Sequence, residues 1–319
     1  MPRFSLIVPY FNNSNTLPDC IQSVLFQVFP DWELILVDDG SDDNGALIYD
    51  DSRIKSFRQN HRGVSTARNR GIRESTGDYL LFLDADDYIG KNYLQDFANH
   101  LFVDAPDICL SGLTRIERDG SSRILMFPFT GVVSKETLLP SFYEIQRTNQ
   151  LYGYVAAKAV RRAFLTEHQL LFNEQLHKSE DLDFFLRCYE KCSVFLFIPN
   201  IDYHYIKYDG GSSMYRQESD YFSLITVHRH LRSFCCNQLS DADEASYRKT
   251  ISAWIDSAIL ETPIGQIRTL PDTLRRISQD PELRALCHVN GSSFRLTIMV
   301  FLRQIRLFFA HLLYQLCSK

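Results

Sequence analysis

The chain has 319 residues, enough for one large or two ordinary domains with a substantial core. Its 45% hydrophobic and 23% charged residues describe a soluble globular protein and exclude a disordered one. With 34 basic against 39 acidic residues, the net charge of −5 argues against nucleic acid as the partner.

Eight cysteines are scattered without a Cys-x-x-Cys pair, so buried, reduced thiols in a cytosol are expected rather than a structural zinc site. The opening "MPRFSLIVPY" reads as a strand and not as a secretory leader. No apolar stretch reaches the roughly 18 residues that would span a bilayer. The expected location is therefore the cytoplasm or the surface of a membrane.

Along the first hundred residues, strand-like and helix-like runs alternate. Phe4 to Val8 is apolar and strand-like, and Leu17 to Gln27 is helical. Trp32 to Val37 is the next strand, ending in "DDGSDD", and Asn44 to Tyr49 forms a short helix. Ile54 to Phe57 follows as a third strand, then helix Val64 to Glu74, strand Tyr79 to Leu83 and helix Lys91 to Leu101. This alternation predicts βαβ units, that is, an α/β fold with a mainly parallel sheet flanked by helices. Ligands of such sheets bind beyond the carboxyl ends of the strands. Three strands end in polar clusters, "PYFNN", "DDGSDD" and "DADD", so those loops are expected at one rim.

The middle of the chain mixes strands ("DICLSGL", "SVFLFIP", "DYHYIKY") with a helix over Glu180 to Lys191. From about Gln217 the pattern is mostly helical. The domains read as 1–110, 111–215 and 216–319.

The aspartates of "DADD" suit a hard divalent cation, Mg²⁺ or Mn²⁺, which takes carboxylates together with waters and phosphate oxygens. The competing reading makes Asp86 or Asp87 the N-cap of the following helix. Asp38 and Asp39 end a neighbouring strand, where a carboxylate can accept the N3–H of uracil. Pro9, Phe11 and Asn12 end the first strand, and the ring of Phe11 can stack on a base. Arg68 and Asn69 precede the acidic strand, and an arginine suits a diphosphate; a solvated helix face is the other reading for Arg68 or Arg70. The glycine spacing from Gly40 to Gly45 resembles a phosphate loop, but Ala46 and Leu47 stand where Lys and Ser or Thr are required. No Gly-x-Gly-x-x-Gly follows the first strand, and no Gly-x-Ser-x-Gly or His-Glu-x-x-His occurs.

The run "FSLIVPYFNNSNTLPDCIQSVLFQVFPDWELILVDDGSDD", followed by "GVSTARNRGIRESTGDYLLFLDADD", closely resembles inverting family 2 glycosyltransferases of the GT-A fold. Further on, "AAKAVRRAFL" and "KSEDLDFFLRC" are similar to later elements of bacterial members that build surface polysaccharides. The resemblance implies a nucleotide-sugar-binding half over 1–110, an acceptor-binding half with the catalytic base over 111–215, and a helical extension over 216–319. It implies a UDP-sugar donor, a glycan or lipid-linked saccharide acceptor, and Mn²⁺ or Mg²⁺ as cofactor. Phe11 would then stack on uracil, with Pro9 and Asn12 beside it, and Asp39 would bond N3. Arg68 would meet the diphosphate. Asp84 would bind ribose or reach the metal through water, and Asp86 would be the direct ligand. Asp181 would be the base that takes the acceptor proton, with Glu180 orienting it or binding acceptor. Family members often carry Tyr at the stacking position and Glu shortly after the Asn; here Phe11 and Asn15 stand there, which puts any role of that carboxylate in doubt.

The segment "SED" is also a helix start, with Ser179 as N-cap and acids in the first turn. His204 reads as a packed residue among tyrosines, and Lys158 as an acceptor-side or a solvated lysine. Gly210 to Ser213 reads as a mobile loop that closes over the donor. Over 291–319, Ile298, Phe301, Leu302, Ile305, Phe308, Phe309, Leu312 and Leu316 share one helical face opposite Arg295, Arg303 and Arg306. Such a face suits an anionic membrane surface, the protein's own core or a partner subunit, including a second copy. Two rival functions remain: a non-catalytic nucleotide-sugar-binding subunit, and a sugar nucleotidyltransferase, whose usual glycine-rich, lysine-containing loop is missing.

Overall fold

The computed structural model describes residues 4–43, 50–104, 106–207, 221–235, 238–260, 277 and 279–289. Its frame is an eight-stranded sheet, with a second sheet of four strands beside it. The first half follows the sequence pattern closely. β1 (Phe4–Tyr10), α1 (Leu17–Leu25), β2 (Trp32–Asp38), β3 (Ile54–Arg58), α2 (Val64–Glu74) and β4 (Tyr79–Phe82) appear in the expected order. β1 and β2 are covered on both faces and read as almost unbroken apolar runs, as central parallel strands should.

After β4 come β5 (Tyr88–Ile89), α3 (Tyr93–Asp104), β6 (Ile108–Ser111), β7 (Leu113–Ile116), β8 (Ser122–Leu125), β9 (Gly131–Ser134) and α4 (Lys135–Asn149). β10 (Lys158–Arg161), α5 (Arg162–Glu167), α6 (Glu180–Lys191), β11 (Val194–Ile198) and β12 (Tyr203–Ile206) follow. α7 (Tyr221–Phe234), α8 (Asp241–Leu260) and α9 (Pro281–Val289) end the described chain.

The large sheet runs β3-β2-β1-β4-β10-β6-β11-β9. Its β3-β2-β1-β4 half is wholly parallel. β10 runs antiparallel to both β4 and β6 and joins the halves expected to divide near residue 110 into one sheet. The small sheet, β5-β12-β7-β8, lies beyond the end of β4. The chain forms two compact units: Met1–Arg216 with His230–Gln238, and Gln217–Arg229 with the residues from Leu239 onward.

Two local expectations need correction. No helix starts at "DADD": the chain enters β5 there, and α3 begins only at Tyr93. The Asp87 carboxylate accepts hydrogen bonds from the Tyr203 hydroxyl at 2.8 Å and the Ile206 amide at 2.8 Å, so it ties two segments of the chain and caps no helix. Ser179 precedes α6 in the left-handed region, with φ at 57°, and its side chain makes no capping bond. The predicted helix at Asn44 to Tyr49, the Gly210 to Ser213 loop and the 291–319 segment lie outside the described residues. Among the described residues no helix is long and apolar enough to cross a membrane. Five described cysteines, Cys20, Cys109, Cys188, Cys192 and Cys235, are free and buried.

α2 lies close on β1 because Gly71 faces Ile7 with no side chain of its own. A methyl group there would fall inside van der Waals contact of the Ile7 side chain. Gly71→Ala should gain about 1 kcal/mol of helix propensity but lose about 1–3 kcal/mol to overpacking. Net destabilisation in urea unfolding is the expected outcome, and a stabilised variant would contradict this packing.

Candidate active site

Because β2, β1 and β4 are adjacent and parallel, the three polar loops emerge at one edge, as their spacing predicts. The loops after β1 and β2 are knitted together. Asn12, at φ 56°, donates its amide to Ser41 Oγ (3.0 Å) and accepts the Asp42 amide at Oδ1 (2.9 Å). Asn12 thus shapes the rim. Pro9 is buried within β1 opposite Val37.

Arg68 is the centre of the rim. It projects from α2, is only 4% exposed, and engages three carboxylates. Its guanidinium lies 2.6 Å from Asp181 Oδ1, 3.1 Å from Asp84 Oδ1 and 3.3 Å from Glu180 Oε1. Residues from α2, the β4 loop and the first turn of α6 therefore meet at one cation. Burial opposes the charge on Arg68, and the three carboxylates outweigh it and hold the guanidinium protonated. Arg70, two residues further along α2, instead donates to the Arg58 carbonyl and lies over Phe57.

α6 is brought to this point by Asn69. Its side-chain amide, itself buried, pairs with both backbone groups of Phe172, accepting at 2.7 Å and donating at 2.9 Å. The Phe172 ring stacks on Phe184 of α6 at 4.0 Å.

The acids outnumber their cations. Asp84, Glu180 and Asp181 share Arg68, and among the described residues no ion pair reaches Asp86 or Asp87 beside them. Burial, then the charge of Asp84, pushes the Asp86 carboxyl up to about 6. Asp87 is driven well above the carboxylate range by burial and by Asp84 and Asp86. Asp181 is likewise raised by burial, with Arg68 pulling against it and Glu180 and Asp84 adding to it. The site holds more negative charge than its own side chains can balance.

A second cation, Lys158, stands behind Asp181. It is 2% exposed, which rules out the solvated reading. Its ammonium donates to the carbonyls of Leu151 (2.8 Å), Ala156 (3.3 Å) and Tyr154, and sits 4.7 Å from the Phe185 ring. Burial brings its pKa down to about 7, and Asp181 opposes that fall.

The corner formed by Phe11 and Asp39 carries a residue that no sequence signal marked. His61 stacks on Phe11, with ring centroids 4.1 Å apart, and places Nδ1 2.9 Å from Asp39 Oδ2. Asp39, fully buried, also accepts from Gln59 (2.8 Å) and from the amides of Arg62 (3.0 Å) and Gly63 (2.8 Å). A carboxylate offers about four acceptor sites, so Asp39 is saturated while His61 is in place. His204 stacks on Tyr88 at 4.5 Å, consistent with a packed residue.

A family model described as glycosyl transferase family 2 matches residues 5–166, which include the acidic strand end, Arg68 and Lys158. The chain belongs to glycosyl transferase family 2. Among curated relatives, a cholesterol galactosyltransferase of Borreliella burgdorferi is 29% identical over 66% of this chain and 62% of its own length. The poly(ribitol-phosphate) beta-N-acetylglucosaminyltransferase TarS of Staphylococcus aureus is 26% identical over 71% of this chain and 40% of its own. The uncharacterized glycosyltransferase EpsJ of Bacillus subtilis is 29% identical over 60% and 57%. This chain thus spans between 40% and 62% of the length of these relatives. Among solved structures, S. aureus TarS 1–349 in complex with UDP-GlcNAc superposes with a TM-score of 0.61 over 89% of this chain and 83% of that one, at 20% identity. The shared architecture is the GT-A fold of family 2, here with its sheet extended by antiparallel strands.

Proposed function

We propose that the chain is an inverting glycosyltransferase that moves a sugar from a UDP-sugar to a hydroxyl of a glycan or lipid-linked saccharide. The observation that carries this reading is the convergence of Asp84, Glu180 and Asp181 on buried Arg68 at the carboxyl ends of β1, β2 and β4. TarS, which shares the fold, has been solved with UDP-GlcNAc, and this supports a nucleotide-sugar donor.

Asp181 acts as the base. Its carboxylate takes the proton of the acceptor hydroxyl as that oxygen bonds to the anomeric carbon, and the bond from that carbon to the diphosphate breaks on the opposite face. UDP carries away the electron pair. Glu180, on the same helical turn, orients the acceptor. Arg68 trades carboxylates for the diphosphate, a planar cation suited to both.

A divalent cation fits the donor set. Two hard carboxylates two residues apart, Asp84 and Asp86, stand in a cluster with surplus negative charge, and Mg²⁺ needs only one or two protein carboxylates beside phosphates and waters. Among the described residues no group of three or more such ligands is assembled. Held by Asp86 with Asp84, it would offset the charge gathering on the departing diphosphate.

At the base-binding corner, uracil takes the place of His61. Imidazole already makes the two contacts assigned to the base: a stack on Phe11 and an N–H directed at Asp39. Cytosine has no N3–H to offer.

Four outcomes test this. Asp86→Asn should remove the metal dependence of UDP affinity, measured by calorimetry with and without Mg²⁺; an unchanged metal dependence would exclude the assignment. Asp181→Asn should keep UDP affinity and lower transfer by about 10²–10⁴-fold, the usual share of a general base. Because the Asp181 carboxyl is raised, the wild-type rate should climb with pH as it ionises, and a flat acid limb would count against it. His61→Ala should bind UDP several-fold more tightly, since each factor of ten is about 1.4 kcal/mol and one competing stack and hydrogen bond are removed. Weaker binding would make His61 a wall of the pocket instead.

A further inference from the structure

The small sheet carries a patch that the chemistry above does not use. Side chains alternate along a strand, so Tyr203, Tyr205 and Lys207 lie on one side of β12 and its extension. Tyr203 fixes which side this is. It is fully buried, donates to Asp87 Oδ2, and receives the Asp84 amide at 3.2 Å. That side therefore borders the acidic rim, and Tyr205 is the next residue along it, about 7 Å further out.

Tyr205 pairs in register with Arg115 of β7. Its half-buried ring meets the Tyr154 ring at 5.4 Å, tilted by 47°. Arg115 hydrogen-bonds the Tyr154 side chain and lies 2.8 Å from Glu117, which also faces Lys207 at 3.6 Å. Tyr154 is fixed from behind, because its carbonyl receives the buried Lys158 ammonium that also faces Asp181.

We propose that Tyr205 and Tyr154, with Arg115 and Glu117, form the acceptor subsite and hold a pyranose ring of the acceptor. The inference rests on the transferase reading and names its acceptor surface. A pyranose has one face of C–H groups and an equator of hydroxyls. Two tilted aromatic rings match the face, and a fixed guanidinium–carboxylate pair offers donors and acceptors to the hydroxyls. The strip runs from this aromatic corner to Tyr203 at the Asp84 amide, and the Asp84 carboxylate shares Arg68 with Asp181, so a sugar seated here would lie on the side from which the base is reached. Lys158 couples the two by holding Tyr154 from the same buried point.

The test is saturation-transfer NMR on the full chain with UDP and Mg²⁺. One arm uses the methyl glycosides of glucose, galactose, N-acetylglucosamine and mannose, and a second uses the same sugars as glycolipids in phosphatidylcholine vesicles. Ring C–H protons of at least one sugar should saturate, and the arm that responds identifies a free or a lipid-borne acceptor. Tyr205→Ala should weaken that sugar about tenfold, and Tyr205→Phe or Tyr205→Trp should restore it. UDP affinity is measured on the same samples. Intact UDP binding with equal sugar saturation in Tyr205→Ala, or with no sugar saturating at all, overturns the subsite. Absent UDP binding in the wild type overturns the transferase reading itself.

Discussion

A single buried guanidinium organises this molecule. Arg68 is almost sealed from solvent, and an uncompensated charge in that position would cost several kcal/mol. It is tolerable only because α2, the β4 loop and α6 each bring a carboxylate to it. The constraint also runs the other way. Glu180 and Asp181 are more than a hundred residues from Arg68 in sequence, and they need its charge as much as it needs theirs. The ion cluster thereby fixes where the second half of the chain must fold back on the first. Asn69, the next residue, adds a backbone-like pair of hydrogen bonds to Phe172 and so sets the angle of approach.

The same cluster leaves charge at the rim unbalanced. One guanidinium cannot neutralise five neighbouring carboxyls, so those left over hold protons tightly or wait for a cation. Asp87 takes the first course: it is buried and serves as an acceptor for Tyr203 and Ile206, and so clamps β12 against the rim. Asp86 is raised only to about 6, which leaves it ionised near neutrality and without an ion-pair partner among the described residues. Two adjacent aspartates of one motif thus divide into a structural residue and an open one. Burial makes the division, since Asp87 is 2% exposed and Asp86 is not buried to that degree.

Much of this was legible in the sequence where the local signal and the tertiary role agree. α2 and α6 run over the predicted residues, and the three polar strand ends meet because parallel neighbours must point their ends the same way. Elsewhere the local pattern misleads. α4 was hidden by Pro140, a residue that removes a helical hydrogen bond yet is accommodated here. β10 is short and begins and ends in charge, so nothing in "KAVR" suggests a central strand; its Lys158 is buried because three carbonyls of the preceding turn receive it. β8 has three exposed residues of four and forms the edge of the small sheet, where alternation is weak. His61 could not be singled out, since its importance lies wholly in reaching Phe11 and Asp39 across the turn after β3.

The position of β5 places a second sheet beside the acidic rim. In a plain βαβ unit the chain would pass from β4 directly into a helix, and the aspartates would cap it. Here two residues of strand intervene and pair with β12, which in turn pairs with β7. The acidic loop is therefore held between two sheets. One presents Phe11 and Asp39, and the other presents Tyr203 and Tyr205. Gly90 permits the closeness: its amide donates to the Asp202 carbonyl at 2.7 Å, and a Cβ would collide with the Asp202 side chain at 2.8 Å. In the proposed transfer, the donor would lie on the side of Phe11 and Asp39 and the acceptor on the side of Tyr205, with the carboxylates between them. A helix capped by aspartate at this point would leave no second sheet beside the carboxylates.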